Sequence, residues 1–178
     1  MGRRSLLRLL IALLGLLGAG PWGCGYHLLR GRQALGGART VAIRGFRNET
    51  AQPGLDSLVT DAVHREFARR GDLRLVRDPE QADLVISGQV VRMQVRSRSF
   101  SSIQFALEYE VWLQLAVEVQ RRDGRAVHLD ARDLSESERY LASADLEVSR
   151  TNRQEALRRL AGLLATRLHD ALYVGLIP

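Results

Sequence analysis

A run of alternating side chains, from Ile103 to Val119, constrains the fold of this chain more than any other part of its sequence. Apolar residues occupy every second position, and most of the residues between them are Gln or Glu. A period of two sustained over this length predicts one long β-strand with a buried and an exposed face. Asp123 and Gly124 follow the strand, and this pair is typical of a tight hairpin turn. Residues 127–131 are therefore predicted to begin the returning strand.

Two other segments have the spacing of amphipathic helices. In residues 53–70 the apolar side chains recur at intervals of three and four, Pro53 suits a first turn, and Gly71 suits the position after the last turn. A longer helix is predicted near the C-terminus, opened by Asn152 as a cap and by Glu155 three residues later. Each helix has one apolar face that must be buried against another element.

The remaining strand candidates are shorter and complete the order of elements. They are residues 40–46, 73–76 and 84–98, and Gly88 in the last of them indicates a bulge or a close backbone approach. The predicted order is β-α-β-β-β-β-α. We therefore predict an α+β fold, a two-layer sandwich in which a mostly antiparallel sheet of four to five strands carries two amphipathic helices on one face.

The N-terminus has the order of a secretory signal. Three arginines are followed by an apolar run from Leu9 to Leu17 and then by small residues. A membrane-spanning helix needs about 20 apolar residues, so this shorter run, which is flanked and broken by glycine, is predicted to be cleaved off.

Cys24, the single cysteine of the chain, comes directly after this signal. It has no partner for an internal disulfide, and Gly23 supplies the small residue that precedes the cysteine in a bacterial lipobox. We predict cleavage before Cys24 and a diacylglycerol thioether on its sulfur; a small buried thiol is the alternative. Gly25, in place of an aspartate, resembles the sorting pattern of lipoproteins sent to the outer membrane. The expected location is the periplasmic side of the outer membrane, with the lipid on Cys24 as anchor.

These assignments divide the chain into three parts. Residues 1–23 are predicted to be the signal peptide, residues 24–39 a lipidated flexible tether rich in glycine and arginine, and residues 40–178 one α/β domain.

Charge and residue types exclude several classes of function. Removal of the three signal arginines lowers the net charge from +6 to about +3, because 23 basic residues then face 20 acidic ones. No basic stripe with interleaved aromatic residues is present, so nucleic-acid binding is not expected. The four histidines are scattered and there is no second cysteine, which argues against a metal site. Without a catalytic cluster or a phosphate-binding loop, we predict no cofactor and no enzymatic activity.

Two groups of arginines are the candidates for contact with a ligand or partner. One group lies on the exposed face of the strand in residues 84–98 and the other surrounds the predicted hairpin tip: Arg92, Arg96 and Arg98, and Arg121, Arg122 and Arg125. Guanidinium groups bind phosphates and carboxylates through paired hydrogen bonds, so an anionic lipid headgroup or an acidic partner would suit them. The alternative is cross-strand pairing with Glu108 and Glu110, worth less than about 1 kcal/mol a pair.

Several segments together resemble the LPS-assembly lipoprotein family, LptE. They are Gly23–Leu28 at the acylation site, Val41–Thr50 leading into the helix that begins near Pro53–Leu55, and Ala82–Gly88 at the start of the long strands. The resemblance covers essentially the whole mature chain, including the C-terminal helix. It implies a lipoprotein without catalytic activity that sits inside the LptD β-barrel as a plug and helps that barrel assemble. Direct binding of lipopolysaccharide is left open by the resemblance.

A second class of lipoprotein shares part of this pattern. CsgG/LpoB-type periplasmic lipoproteins, which form a secretion pore or activate a peptidoglycan synthase, also have a strand ending in a Phe-x-Asn-x-Thr-like turn, a helix, and an Ala-Asp-x-x-x-x-Gly strand. A shared α/β unit explains the overlap, and fold alone does not settle function. The start at Cys24, the long alternating hairpin and the finish in a single helix favour LptE.

Overall fold

The computed structural model of the protein describes residues 35, 37–100, 106–130 and 132–175. The predicted signal, Cys24 and most of the predicted tether lie outside these residues. The elements, in chain order, are β1 Thr40–Ile43, β2 Arg47–Asn48, α1 Leu55–Arg70, β3 Arg74–Leu75, a 3-10 turn Pro79–Gln81, β4 Leu84–Phe100, β5 Ala106–Arg121, β6 Ala126–Leu129, β7 Ser135–Leu141 and α2 Leu146–Gly175.

All the strands in the described part of the chain belong to one mixed sheet, whose order is β3-β1-β4-β5-β6, with β2 also paired to β4 and β7 also paired to β5. The N-terminal strands β1, β2 and β3 pair in parallel, whereas β4, β5, β6 and β7 pair antiparallel. The predicted α+β class with two helices is confirmed. The sheet has seven strands rather than four to five, because the short β2 and the polar β7 carry no clear apolar alternation.

The two long strands β4 and β5 form the centre of the sheet, and the alternation in the sequence predicted β5 as one long strand. They are 17 and 16 residues long and remain paired along almost their whole length. The register shifts between Val90 and Arg92, so Val91 is an extra residue in β4. Before this bulge the inward side chains are even-numbered, such as Ile86 and Val90; after it they are odd-numbered, such as Met93.

Both helices pack on the inner face of the sheet. The odd-numbered residues of β5 from Val111 to Val119 are buried there, together with Val63 and Phe67 of α1 and Leu164 of α2. Among the described residues, core packing therefore covers one face of the sheet and leaves the other face without a covering layer. The buried core also includes Leu35 and Ala38, so packing reaches back into the end of the predicted tether.

The ends of the elements follow local rules for the most part. Gly71 ends α1 with φ 69° and donates its N–H to the Phe67 carbonyl, as predicted. The Asp123-Gly124 turn is present, with Gly124 at φ 86°. The predicted cap at Asn152 is wrong: α2 begins two turns earlier, where Asp145 accepts a hydrogen bond from the Glu147 N–H at 2.8 Å.

Candidate functional site

The face of the sheet that the helices leave uncovered is the candidate interaction surface, and we call it the outer face. The pleat of the strands brings polar side chains together on it. They are Arg92, Gln94 and Arg96 from β4, Glu110, Trp112 and Gln114 from β5, and Ser135, Ser137 and Arg139 from β7.

Glu110 is the centre of the charged part of the outer face. Its register partners are Arg96 on β4 and Arg139 on β7, and its Oε2 lies 3.7 Å from the Arg98 Nε. The Ser137 hydroxyl is 3.4 Å from Oε1. Glu110 is only 8% exposed, and its contact with Arg98 is the cross-strand pairing that the sequence analysis named as the alternative. One carboxylate thus faces several arginines, and the local charge is positive.

The predicted β4 arginines do lie together on this surface. Arg92 is opposite Gln114, and Arg96 donates to Gln94 Oε1 at 3.2 Å. Cross-strand pairing with glutamate, the alternative interpretation, is present for Arg98 alone among these three. Arg139 joins the group through β7, whose sequence gave no strand signal, and sequence reasoning therefore missed it. Among the described residues, the side chains of Arg92 and Arg139 have no hydrogen-bond or ion-pair partner.

The hairpin-tip arginines are held by the chain itself. The Arg121 guanidinium contacts Asp123 Oδ2 at 3.2 Å and donates to the Leu35 carbonyl at 3.2 Å. Arg122 donates to the Ala82 carbonyl at 3.2 Å and lies 3.5 Å from Asp83 Oδ1. Arg125 is more exposed, with its Nε 4.0 Å from Asp123.

These contacts line a shallow cavity of about 320 Å³ between the hairpin tip and the start of the domain. In this cavity the negative charges of two aspartates offset the positive charges of two arginines: Asp83 and Asp123, and Arg121 and Arg122. The backbone N–H of Arg125, followed by the Arg121 side chain, holds the pKa of Asp123 below its ordinary value despite some desolvation. A new anion would have to displace these existing partners.

A larger cavity, of about 500 Å³, lies beside β2 and β6, between the hairpin tip and the charged group around Glu110. Arg44, Arg47, Gln89 and His128 line it together with Glu118. The Arg47 guanidinium donates to Gln89 Oε1 at 3.3 Å. Within the described part of the chain, the Arg44 side chain has no partner. The sequence placed these residues in different strands and gave no signal that they would meet.

The motif residues behind the family resemblance have structural roles. The Asn48 carboxamide accepts from the N–H and the hydroxyl of Thr50, at 2.9 and 2.8 Å, and donates to the Gln52 carbonyl at 2.7 Å. This arrangement closes the turn between β2 and α1.

Asp83 joins the start of β4 to the start of β1. Its Oδ2 accepts from the backbone N–H groups of Arg39 and Thr40 at 2.9 and 3.0 Å, and the Thr40 hydroxyl accepts from the Asp83 N–H at 2.9 Å. The Arg39 N–H, followed by the opposing effect of burial and by the bonds from Thr40, leaves the pKa of Asp83 below its ordinary value. Gly88 lies against the buried ring of Phe46, which confirms the predicted close backbone approach.

A buried histidine joins the C-terminal ends of the two helices. The His169 ring packs edge-on against Phe67, with ring centroids 5.1 Å apart, and lies 5.1 Å from the ring of Tyr173. The Tyr173 hydroxyl donates to Asp72 at 2.7 Å, and burial, followed by this bond, raises the pKa of the phenol. The cluster is part of the helix packing.

Within the described ranges, no group of three histidine, cysteine or acidic residues could hold a metal ion. No helix in the described part of the chain is long and apolar enough to cross a membrane.

Comparison with known proteins gives one family match and several folds of the same kind. The model of the LptE family, described as lipopolysaccharide-assembly, matches residues 38–172. No curated protein matches the chain. Rare lipoprotein B from Shewanella oneidensis is 13% identical, with a TM-score of 0.54 over 76% of this chain and 95% of that one. The hypothetical protein CT253 from Chlamydia trachomatis is 10% identical, with a TM-score of 0.51 over 75% of this chain and 97% of that one.

At these identities the two solved structures show a shared fold and nothing further. The family match shows more, because it runs from just before β1 to the last turns of α2 and so includes every strand and both helices. The chain therefore belongs to the LptE family of lipopolysaccharide-assembly lipoproteins.

Proposed function

We propose that this lipoprotein is anchored to the periplasmic side of the outer membrane through Cys24, plugs the LptD β-barrel, helps it assemble and thereby takes part in lipopolysaccharide transport to the cell surface. The observation that carries the proposal is the family match over residues 38–172, which is the whole packed domain. The LptE family is non-enzymatic, and the proposed role needs no catalytic group or cofactor.

The two-layer architecture suits a plug. The lumen of a membrane barrel is polar, so a domain that fills it must offer polar side chains to the wall. The outer face does so with Gln94, Gln114 and Ser135, and with arginines around the nearly buried Glu110. Such groups can form hydrogen bonds with a barrel wall without disturbing the packing of the apolar core.

The same surface supports contact with lipopolysaccharide phosphates. Arg92 and Arg139 project from strands on either side of β5 and have no partner among the described residues. Arg92 is opposite Gln114 and Arg139 is opposite Glu110, four residues away along β5, so the two side chains arise roughly 17 Å from each other. Each can bind a phosphate group of its own through forked hydrogen bonds. Arg96 and Arg98 are secondary candidates because each already has a neighbour on the protein.

The hairpin-tip arginines are weaker candidates for the same role. Arg121 and Arg122 donate to backbone carbonyls, and those carbonyls would be left without a partner if the arginines turned towards a ligand. Arg125 is the freest of the three, with a side chain that is 82% exposed.

The test is purification of the tagged, full-length protein from membranes of its native host, with the co-purifying proteins identified by mass spectrometry. The proposal predicts a large outer-membrane β-barrel in near-equal amount. Recovery of a peptidoglycan synthase, or of a ring of identical subunits, would instead support the CsgG/LpoB-type function and contradict the proposal.

A further inference from the structure

The strand β4 is paired on both sides for only half of its length. On one side β5 accompanies it almost to its end. On the other side β1 pairs with Leu84–Ile86 and β2 pairs with Gln89 and Val90, where the Glu49 N–H donates to the Val90 carbonyl at 3.0 Å. Within the described residues, no strand pairs with this side of β4 beyond the bulge, so residues 92–99 form an open edge.

The backbone groups that face this edge can be identified from the hydrogen bonds of β5. The Leu115 N–H donates to the Leu134 carbonyl, so its backbone groups point away from β4. In an antiparallel pair the direction alternates, and Leu113 points the same way as Leu115. Its register partner Met93 then points away from β5 as well. By the same alternation, Met93, Val95 and Ser97 offer their N–H and C=O groups to the open edge.

A cavity lies directly beside these residues. It has a volume of about 240 Å³ and is lined by Met93 and Val95 on β4, by the 50–52 turn and by Arg153 of α2. Val95 is 40% exposed although its side chain is on the inner face. The turn held by Asn48 leads the chain away from β4 here, so the cavity occupies the path that β2 would follow if it continued.

The charges around the open edge are positive on both faces of the sheet. Arg92, Arg96 and Arg98 lie on the outer side. On the inner side, the Arg153 Nε is buried without a hydrogen-bond partner among the described residues, while its terminal nitrogen donates to Gln52 Oε1 at 2.6 Å. Of the described residues, none with an acidic side chain lines the cavity. Pairing of this edge with a second copy would bring arginines against arginines, which disfavours a homodimer.

We propose that the open edge of β4, from Arg92 to Ser99, accepts an extended segment of a partner protein as an added strand, and that this segment carries acidic side chains. Main-chain hydrogen bonds to Met93, Val95 and Ser97 supply the affinity, and the arginines above and below select for carboxylates. An apolar side chain of the segment covers Val95. The inference does not depend on whether the partner is the LptD barrel, since it concerns an edge and not the outer face.

Site-specific photo-crosslinking in the living native host tests this inference. A photoreactive amino acid replaces Val95 in the full-length protein, and the matched control carries it at Leu163, which is 47% exposed in the middle of α2. We expect an adduct from position 95 but not from position 163, with the cross-link mapped by mass spectrometry to an acidic segment of another protein. No adduct at position 95, an adduct to a second copy or to lipopolysaccharide, or the same adduct from both positions would overturn the proposal.

Charge reversal then separates edge pairing from general attraction. The double variant Arg92→Glu/Arg96→Glu should lower the yield of the position-95 adduct about tenfold, because both arginines would repel the segment. The double variant Arg65→Glu/Arg77→Glu changes the net charge by the same amount at two exposed arginines away from the outer face and the open edge, and it should leave that yield unchanged. An equal loss in both double variants would mean that the overall charge of the protein, and not the edge, attracts the partner.

Hydrogen exchange gives a readout of the backbone itself. In the isolated full-length protein the amides of Met93, Val95 and Ser97 should exchange within the fastest class of β4, and in the membrane-extracted complex they should become protected. Protection already present in the isolated protein would show that the chain covers its own edge, which contradicts the inference.

Discussion

Gly88 lies beneath the ring of Phe46, and this contact permits a quantitative prediction. A Cβ atom at position 88 would be 2.6 Å from the Phe46 Cε1 and 2.9 Å from the Ala116 carbonyl oxygen. Carbon atoms in folded proteins do not approach their neighbours so closely, so Gly88→Ala forces a rearrangement. The phenyl ring is buried in the core and the carbonyl belongs to β5, so neither group can move without disturbing its own packing.

The size of the effect follows from the cost of overpacking. An extra methyl group in a well-packed core costs about 1–3 kcal/mol. One of the two clashes is with backbone that cannot rotate away, which places Gly88→Ala at about 2–3 kcal/mol. For a domain of this size, that loss corresponds to a fall in Tm of roughly 6–12 °C.

Urea and thermal denaturation of the purified domain at neutral pH measure this difference. Gly162→Ala is the matched control: it lies within α2, and a Cβ there has nothing within 4 Å. The same substitution should therefore stabilise the protein by about 0.5–1 kcal/mol, because alanine is the better helix former. The reasoning would be refuted if Gly88→Ala unfolded within 0.5 kcal/mol of the wild type, or if the two variants changed stability in the same direction.

Four further substitutions test other parts of the structure and of the proposal. Asp83→Ala leaves the Arg39 and Thr40 N–H groups without their carboxylate and should cost about 1–3 kcal/mol in urea denaturation. Because folding lowers the pKa of Asp83, its contribution is present above the unfolded pKa and is lost as the pH falls towards the folded one, so the stability gap between wild type and variant should narrow in acid. Asn48→Ala removes the bonds that close the turn before α1 and should cost about 1–2 kcal/mol, checked by the same assay. Cys24→Ser should abolish incorporation of labelled palmitate and release the protein from the membrane fraction, whereas unchanged labelling would contradict acylation at this position. Arg139→Gln should weaken the binding of purified lipopolysaccharide about three- to tenfold in a pull-down at low salt, with a smaller effect as salt is raised; an unchanged affinity would remove Arg139 from the proposed contact.

The parts of the fold that could be predicted are those that local sequence encodes. The strand β5 has a buried side chain at every second position from Val111 to Val119, so its alternation shows in the sequence. The Asp123-Gly124 turn and the end of α1 at Gly71 depend on single residues with positive φ. For these elements, the pattern of residues along the chain was sufficient to predict the structure.

The strand β7 shows why other parts could not be predicted. Its inward side chains include Glu136 and Glu138, which are as polar as their outward neighbours. They are tolerated there because each forms an ion pair with an arginine of α2. Arg167 pairs with Glu136, and the Arg159 Nε lies 2.6 Å from the Glu138 Oε1. The compensation comes from residues more than twenty positions away. No window of local sequence can therefore reveal that β7 is a strand.

The candidate site was predictable in part, for the same reason. Alternation along β4 placed Arg92 and Arg96 on an exposed face, and the structure puts them on the outer face. Arg139 was missed because β7 was missed. The hairpin-tip arginines were correctly located, but their bonds to Asp123, Asp83 and distant carbonyls depend on how the N-terminal part of the domain folds back.

The extra residue at Val91 sets a rule for how the pair of strands β4 and β5 can change in length. The bulge reverses which positions of β4 face the core: even-numbered side chains point inward before it, and odd-numbered side chains point inward after it. A single deletion on either side of the bulge would therefore turn each side chain between the deletion and the nearest turn to the opposite face of the sheet. Removal of Val91 itself would abolish the bulge, because Val90 and Arg92 already lie opposite the consecutive residues Leu115 and Gln114, and Arg92 and Arg96 would stay on the outer face. Insertions and deletions within this pair of strands are thus tolerable in pairs, or singly when they remove the bulge residue or move the bulge with them.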